Sequence, residues 1–330
     1  MRLRQAVWWL IAGGLAIVLL RYSLRGIDWR RVGEIVAGSN RWRLALAAAV
    51  GTGTLFLRAC RWRVLLNAEG RIRMSTAFWA TAAGYFGNNF LPARAGELVR
   101  TFFISSTGNL DYPYVLATAM AERASDALVL VGIALVILLT GSVRPDWLAG
   151  AAKPLATVAA IGAIGIAVLP FLGSQAEWIV RRLPVGDTWR TRLLEALHQG
   201  LRGLRAFHHP VRLTAFLLLT AIIWWGDAIS TVVAATALGL RMPYEAAFLL
   251  LASLGLASAL PSTPGYVGIF QFVAVTVLVP YGLSRTDAIA YILIAQAINY
   301  VIIGIWGSVG LLRYRQSRGG PDTSTPGTQP

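Results

Sequence analysis

Six ionisable side chains interrupt two otherwise apolar stretches of the sequence, and a seventh interrupts a third. The six are Arg94, Glu97, Arg100, Glu122, Arg123 and Asp126, and the seventh is Asp227. A charge near the centre of a bilayer costs roughly 2.5 to 3.5 kcal/mol even on insertion scales, so these groups must be paired or hydrated if the stretches cross a membrane. The six charges sum to zero, and Glu122 and Asp126 lie one helical turn apart on a common face. The six can therefore neutralise one another, whereas Asp227 has no obvious local partner.

Two interpretations of these charges remain open. In the first, they form a structural ion-pair network that fixes a hairpin to the neighbouring helix. In the second, the arginines line a polar cavity and bind an anionic head group, because a guanidinium binds phosphate through two parallel hydrogen bonds. Carboxylates would then hold the arginines in the empty state, and a lipid phosphate would exchange with a carboxylate without leaving any charge unpaired.

Helix-breaking and amide residues accompany the charges. The first charged stretch contains Asn89, Pro92 and Gly96, and a later apolar stretch contains Pro261, Pro264, Gly265, Gly268 and Gln271. Within a membrane, a broken helix frees backbone groups that only protein or a hydrated cavity can satisfy. These residues therefore predict part of a binding or translocation site. An ordinary Pro-Gly turn at the membrane surface is the alternative for the later stretch.

The composition places the chain in a membrane. Hydrophobic residues make up 56% of the 330 residues and charged residues only 14%, and the mean hydropathy is +0.60, which leaves too little polar surface for a water-soluble globule. The net charge of +15 comes almost wholly from arginines between apolar runs, as in loops beside anionic lipid. No soluble stretch is long enough for a nucleic-acid-binding domain. Cys60 is the only cysteine, which excludes an intrachain disulfide and a thiolate metal cluster.

Six apolar runs are predicted to cross the membrane. A span needs about 20 residues, or fewer where flanking side chains reach the interface. The six runs are residues 5–20, 43–59, 115–140, 154–172, 212–238 and 286–312. Residues 75–104 and 243–279 are also apolar, but prolines and glycines interrupt them and their second arms are short. Each of these two regions is predicted to form a helix, a break and a second helix.

The two broken regions resemble each other. The motif Leu91-Pro92-x-x-x-Gly96 in the first matches Leu260-Pro261-x-x-x-Gly265 in the second, and an Ala-Phe pair precedes each. Three predicted spans separate the regions, so the second hairpin should enter the membrane from the opposite face. The sequence therefore predicts an all-α integral membrane protein with about six transmembrane helices and two re-entrant Pro/Gly-broken helical hairpins in a pseudo-inverted repeat. Such paired interruptions point to a transporter site near the middle of the membrane.

The arginines predict the orientation, because positively charged loops stay cytoplasmic. With both termini cytoplasmic in a bacterial or archaeal inner membrane, the arginine-rich segments 61–73, 173–211 and 313–318 all face the cytoplasm. Residues 21–43 are also rich in arginine, but this orientation places them on the side of the membrane opposite the cytoplasm.

The predicted organisation is one transmembrane domain with a loop and a tail. The domain covers residues 1–316, with repeat halves at about 5–140 and 154–312. Residues 173–211 form a cytoplasmic loop that contains either an amphipathic helix in the membrane interface or a short soluble helical hairpin. Residues 317–330 are rich in Gly, Pro, Ser and Thr, which predicts a disordered tail.

Four polar motifs recur in one known family. They are Arg58-Ala-Cys-Arg61-Trp62, Asn89-Phe-Leu-Pro92-Ala-Arg94-Ala-Gly96-Glu97-Leu-Val-Arg100, Glu122-Arg123-Ala-Ser-Asp126 and Leu260-Pro261-Ser-Thr-Pro264-Gly265-Tyr-Val-Gly268. Together they resemble the lysylphosphatidylglycerol synthase transmembrane, or flippase-like, family, and the likeness runs from the first span to Leu312. In larger members this domain resembles a lipid flippase fused to a cytosolic aminoacyl transferase. Because no such fusion follows here, the resemblance implies lipid transport without lipid aminoacylation, and some stand-alone relatives are thought to handle isoprenoid-type or glycosylated lipids.

Three functions are compatible with these features. The leading hypothesis is a lipid flippase or scramblase that moves an anionic, glycosylated or isoprenoid-type lipid between leaflets through a central polar cavity. An ATP-driven pump is excluded, because a P-loop needs Gly-Lys-Ser/Thr and the only lysine, Lys153, precedes Pro154. The alternatives are a scaffold for a separate lipid-modifying synthase, or an integral-membrane transferase that uses Glu97, Glu122 and Asp126 as a base or metal ligands. Membrane lipids are the expected partners, no nucleic acid is expected, and no cofactor is required.

Overall fold

The chain is helical throughout the part that the structure describes. The computed structural model describes residues 13–14, 16–91, 95–107, 110–143, 150, 153–154, 156–157, 160–162, 164–165, 168, 172–183, 186–258 and 264–318. Three predicted site residues, Pro92, Arg94 and Pro261, lie outside these residues. So do residues 319–330 of the predicted tail and parts of the predicted spans 5–20 and 154–172.

Twelve of the described helices are numbered here in chain order. The first six are α1 (16–24), α2 (Trp29–Ala37), α3 (Arg41–Leu66), α4 (Met74–Phe90), α5 (Gly96–Thr107) and α6 (Tyr112–Thr140). The second six are α7 (Gly173–Arg182), α8 (Asp187–Arg205), α9 (Pro210–Ala237), α10 (Tyr244–Ala257), α11 (Ile269–Leu278) and α12 (Arg285–Arg318). Further helical residues lie between 153 and 168.

Four of these helices are long and apolar enough to cross a membrane, namely α3, α6, α9 and α12. They correspond to four of the six predicted spans. Helix α3 continues seven residues beyond the predicted end at Ala59, because Arg61, Trp62, Leu65 and Leu66 are buried against the rest of the protein. Helix α12 likewise runs through Arg318, two residues into the predicted tail.

The arginine-rich segment 21–43 contains a helix. Asp28 accepts a hydrogen bond from the backbone N–H of Arg31, and this N-cap starts helix α2. Val32 and Ile35 on α2 are buried, and the helix packs against α12. The segment is therefore a short amphipathic helix with its arginines on the exposed face.

The two broken regions fold as paired helices. Helix α4 packs against α5, and α10 packs against α11. The first pair crosses at very short range, because a Cβ on Gly96 would lie 1.9 Å from the carbonyl oxygen of Gly84. At the second break, Gly265 and Gly268 have φ angles of +75° and +89°, which side-chain-bearing residues rarely adopt.

Contacts in the first half of the chain recur in the second. Helices α3 and α9, which are counterparts in the predicted repeat, pack extensively against each other, and Gly226 on α9 lies close to Thr54 on α3. The first hairpin packs against α12 through α4, and the second hairpin packs against α6 through α10. Helix α5 contacts α6, just as α11 contacts α12. The hairpin of each half thus packs against the last span of the other half, as a two-fold related repeat requires.

Both hairpin tips reach the middle of α12. The ring of Phe90, at the end of α4, lies 5.9 Å from the ring of Tyr300. The hydroxyl of Tyr300 donates a hydrogen bond to the carbonyl oxygen of Gly265 at the second break. Tyr300 is near the midpoint of α12, so the two tips meet about halfway along a membrane-length helix.

The loop 173–211 contains the helical pair α7 and α8. Within the predicted apolar face of α8, Leu201 is buried, whereas Leu193 is exposed. Gly203 lies against Ala117 and the backbone of Tyr114 at the start of α6. The C-terminal part of α8 is therefore attached to the helical core rather than separated from it.

Replacing Gly96 by Ala should destabilise the first hairpin, because the new Cβ would clash with the backbone of Gly84 and with the Asn88 side chain. We expect a loss of about 1 to 3 kcal/mol in the free energy of unfolding, measured by thermal unfolding in detergent. Gly132→Ala in α6 is the matched control, since a Cβ there meets nothing within 4 Å. Equal stability of the Gly96→Ala and Gly132→Ala proteins would contradict the close crossing.

Candidate functional site

Arg61 is the most enclosed charge in the described part of the protein. It lies on α3 with its side chain fully buried. Its Nε and Nη2 donate to Glu122 at 3.2 and 2.9 Å, and its two Nη groups donate to Asp126 at 2.7 and 2.9 Å. Nη1 also donates to the hydroxyl of Thr220 on α9 at 3.1 Å. A guanidinium has five N–H donors, so Arg61 has none left for a ligand.

Arg100, on α5, attaches the first hairpin to Glu122, one of the two carboxylates that Arg61 binds. Its Nε lies 2.5 Å from Glu97 and its Nη1 lies 2.6 Å from Glu122. Nη2 donates to the carbonyl oxygen of Ala119, and the guanidinium lies 4.5 Å from the centre of the Trp62 ring. The Arg100 side chain is 1% exposed. Arg100 therefore serves as a structural contact between α5, α6 and α3.

Arg123 is the exposed member of the same cluster. Its Nε donates to Glu97 at 2.6 Å, and its Nη1 lies 3.9 Å from Asp126. The guanidinium also lies 5.0 Å from the centre of the Tyr85 ring. Its side chain remains 33% exposed. We refer to Arg61, Arg100, Arg123, Glu97, Glu122 and Asp126 as the ion-pair network; its charges sum to zero.

The ion-pair network differs in one member from the predicted set. Arg61 belongs to it although the sequence analysis did not include it among the six charges, and Arg94, which was included, lies outside the described residues. Glu122 and Asp126 both bind Arg61, as their one-turn spacing on a common helical face predicts.

Asp227, for which the sequence offers no obvious local partner, has a partner that is distant in sequence. On α9 it forms an ion pair and a hydrogen bond with Nη2 of Arg58 on α3. The guanidinium of Arg58 also lies 5.9 Å from the Tyr85 ring centre and 5.4 Å from that of Trp224. The partner was not recognisable locally because the two residues are 169 positions apart.

Amide side chains stabilise the first break. Asn88 accepts a hydrogen bond from the backbone N–H of Gly96 at 3.0 Å and donates to Glu97 at 3.1 Å. Asn89 is buried and donates to the carbonyl oxygen of Tyr85 at 2.9 Å. Asn88 thus joins the hairpin break directly to the ion-pair network.

A parallel arrangement stabilises the second break. Gln271 accepts a hydrogen bond from the backbone N–H of Gly268 at 2.7 Å and donates to Gln296 at 2.6 Å. Gln296 donates in turn to the carbonyl oxygen of Gly265 at 3.1 Å. Two backbone groups at the break, the N–H of Gly268 and the carbonyl oxygen of Gly265, are therefore satisfied by protein. This accounts for Gln271 without requiring a ligand.

A cavity of about 510 Å³ lies between the two hairpins. Five predicted site residues line it, namely Asn89, Glu97, Arg123, Asp126 and Asp227. Apolar side chains, among them Leu251, Leu254 and Ile303, also line it. Gly96, Arg100, Glu122, Gly265, Gly268 and Gln271 are not part of the lining. Of Pro264, only the backbone position in a short 3₁₀ turn is described.

A second cavity, of about 280 Å³, adjoins the first. Arg58, Tyr85, Asp227 and Asn299 line both cavities. The sequence analysis did not select Arg58, Arg61 or Tyr85 as site residues. The available signal was the spacing of Arg58 and Arg61, which lie close to one helical turn apart at the end of an apolar run.

Replacing Arg61 by Gln should strongly destabilise the protein, because Glu122 and Asp126 would lose a buried counter-ion. We expect a loss of about 3 to 5 kcal/mol in the free energy of unfolding, measured in detergent. Arg30→Gln on α2 is the control, since the Arg30 side chain is 90% exposed and such pairs contribute less than about 1 kcal/mol. Similar losses in both variants would show that Arg61 is not the structural centre of the ion-pair network.

Comparison with known proteins adds a family to this geometry. The family model for the lysylphosphatidylglycerol synthase TM region matches residues 9–307. No solved structure matches the chain.

Three archaeal relatives were found. The protein named Glycosyltransferase AglD from Haloferax volcanii is 28% identical over 91% of this chain and 53% of its own length, so the chain spans about half of that relative. UPF0104 membrane proteins from Methanothermobacter thermautotrophicus and Pyrococcus horikoshii are 22% and 23% identical over 89% and 93% of this chain, and over 90% and 97% of their own lengths. The chain is an integral membrane protein that belongs to the lysylphosphatidylglycerol synthase transmembrane-region family.

Proposed function

We propose that the protein moves an anionic or lipid-linked head group between the two leaflets of the membrane. The observation that carries this proposal is the 510 Å³ cavity, whose lining combines ionised groups with aliphatic side chains. Charged groups at membrane depth mark substrate pathways, since their cost is otherwise unexplained. A lipid has the matching chemistry, because its head group is polar and its tails are apolar.

The polar residues that line the cavity offer several kinds of contact to a head group. Arg123 and Arg58 supply hydrogen-bond donors for phosphate oxygens, and Asn88, Asn89 and Asn299 supply amides. Tyr85, Trp224 and Tyr266 supply aromatic surface. This set suits a phosphate-bearing head group with or without attached sugar.

We further propose about six spans and two re-entrant hairpins that enter from opposite faces, with both termini cytoplasmic. Two contacts support this arrangement: both hairpin tips touch Tyr300 near the middle of α12. Contacts between segments predicted to lie on the same side of the membrane also support it. Tyr114 contacts the carbonyl oxygen of Leu65 at one end of the helices, and Arg285 contacts that of Tyr22 at the other end.

Cysteine labelling tests the orientation. In a Cys60→Ala background, Glu69→Cys should react with a membrane-impermeant maleimide from the cytoplasmic side, and Ser284→Cys from the opposite side. Both positions are exposed at the ends of helices. Labelling of both from the same side would contradict the inverted arrangement.

A transferase acting on a lipid-linked substrate is the second candidate, because one relative is named a glycosyltransferase. The chain spans about half of that relative, and the carboxylates that could act as a base or metal ligands here are bound by arginines. A covalently altered lipid product from the purified protein would favour this candidate over transport.

Leaflet transfer tests the proposed function. The protein is reconstituted in liposomes with fluorescent phosphatidylglycerol, and transfer is followed by quenching of the outer leaflet. Arg123→Gln should slow transfer about tenfold or more, because the cavity loses an exposed guanidinium while Glu97 keeps Arg100 as a partner. Arg30→Gln is the control and should transfer at the wild-type rate. Equal rates with Arg123→Gln would contradict the assignment of the cavity as the route.

A further inference from the structure

The four described arginines around the cavities differ in how fully their hydrogen-bond donors are used. All five donors of Arg61 bind protein acceptors. Arg58, by contrast, donates within the described residues to Asp227 alone. The Arg58 side chain also borders open volume, because it lines both cavities. Arg58 is therefore the guanidinium best able to accept a new anionic partner.

Arg58 and Asp227 join two helices at the border of both cavities. Arg58 lies on α3 and Asp227 on α9, the two counterpart spans that pack most extensively against each other. Both residues line the larger and the smaller cavity. A ligand in either cavity can therefore reach the same ion pair.

Charge balance then limits what can bind. Arg58 and Asp227 add one positive and one negative charge to the ion-pair network, so the eight groups together remain neutral. Relative to these eight described groups, a singly charged phosphodiester adds one uncompensated negative charge in a low-dielectric region, which is strongly unfavourable. Uptake of one proton by a carboxylate restores neutrality.

The carboxylate that takes up this proton can be identified by elimination. Glu97 keeps Arg100 if it releases Arg123, and Asp126 keeps Arg61. Asp227 has Arg58 as its ion-pair partner within the described residues, so it loses its counter-ion when Arg58 binds something else. Among the described residues, the other charged or titratable groups that line the two cavities are Tyr85, Glu97, Arg123, Asp126, Tyr266 and Tyr291.

We propose that Arg58 and Asp227 form an exchange site that couples binding of an anionic lipid to uptake of one proton. The ion pair opens, the phosphate oxygens accept N–H groups of Arg58, and a proton from water binds a carboxylate oxygen of Asp227. No covalent bond of the lipid forms or breaks. Release reverses each step, so lipid and proton move together without net charge transfer. This inference rests on the proposed function for its substrate class.

Proton uptake on binding tests the exchange directly. The full chain in phosphatidylcholine nanodiscs is titrated with short-chain phosphatidylglycerol in weakly buffered solution containing a pH dye. The wild type should take up about one proton per lipid bound, and its affinity should rise by up to about tenfold per unit fall in pH. Phosphatidylglycerol suits the test because its phosphodiester stays singly charged from about pH 5 to about pH 8.

Two substitutions separate the roles of the pair. Asp227→Asn should bind the lipid without proton uptake and with an affinity independent of pH, because the neutral amide leaves Arg58 available at every pH. Arg58→Gln should bind about tenfold more weakly or worse. Asp187→Asn is the matched control, since the Asp187 side chain is 95% exposed, and it should behave as the wild type.

Several outcomes would overturn the exchange site. They are proton uptake that persists in Asp227→Asn, binding by the wild type without proton uptake, and no binding of phosphatidylglycerol by the wild type at any pH tested. Leaflet transfer is measured on the same proteins. Coupled binding without transfer would reject translocation but keep the exchange site, whereas transfer without proton uptake would reject the exchange site alone.

Discussion

The rest of the structure depends on one buried guanidinium. Arg61 binds two carboxylates of α6 and the Thr220 hydroxyl of α9, so a single side chain joins three of the membrane-length helices. Because an unpaired charge at this depth would cost several kcal/mol, these helices are held in one register relative to one another. Arg100 then binds Glu122 as well, and this contact fixes the first hairpin at the same level. Of these four charged groups only Asp126 lines the cavity, so the other three lie behind the cavity wall.

The two interpretations of the buried charges apply to different arginines. Arg61 and Arg100 are fully enclosed and bound to carboxylates, which is what a structural network requires. Arg58 and Arg123 face the cavity and make fewer bonds, which is what a binding site requires. The structural pairs carry a cost in desolvation that their hydrogen bonds offset. Because the charges of these pairs cancel, they would not offset the electrostatic cost of one added charge.

Much of the fold could be predicted because long apolar runs and Pro/Gly interruptions are local signals. The shared face of Glu122 and Asp126 was also predictable, since it follows from helical periodicity alone. The pair of Arg58 and Asp227 was not, because 169 residues separate its members and only the packing of α3 on α9 brings them together. Arg61 was assigned to a loop because hydropathy falls there. The helix continues because tertiary partners neutralise its charge. Similarly, α2 was missed because its two buried residues give too short an apolar face to stand out among arginines.

Tyr300 links the two halves of the protein in a way that bears on movement. One face of its ring lies near Phe90 from the first hairpin, while its hydroxyl binds Gly265 in the second. Any displacement of either tip away from α12 must break a contact of this one residue. Gly265 also has no room for a side chain there, because an added Cβ would lie 2.3 Å from the Tyr300 hydroxyl. Movements of the two hairpin tips relative to α12 therefore act on the same side chain.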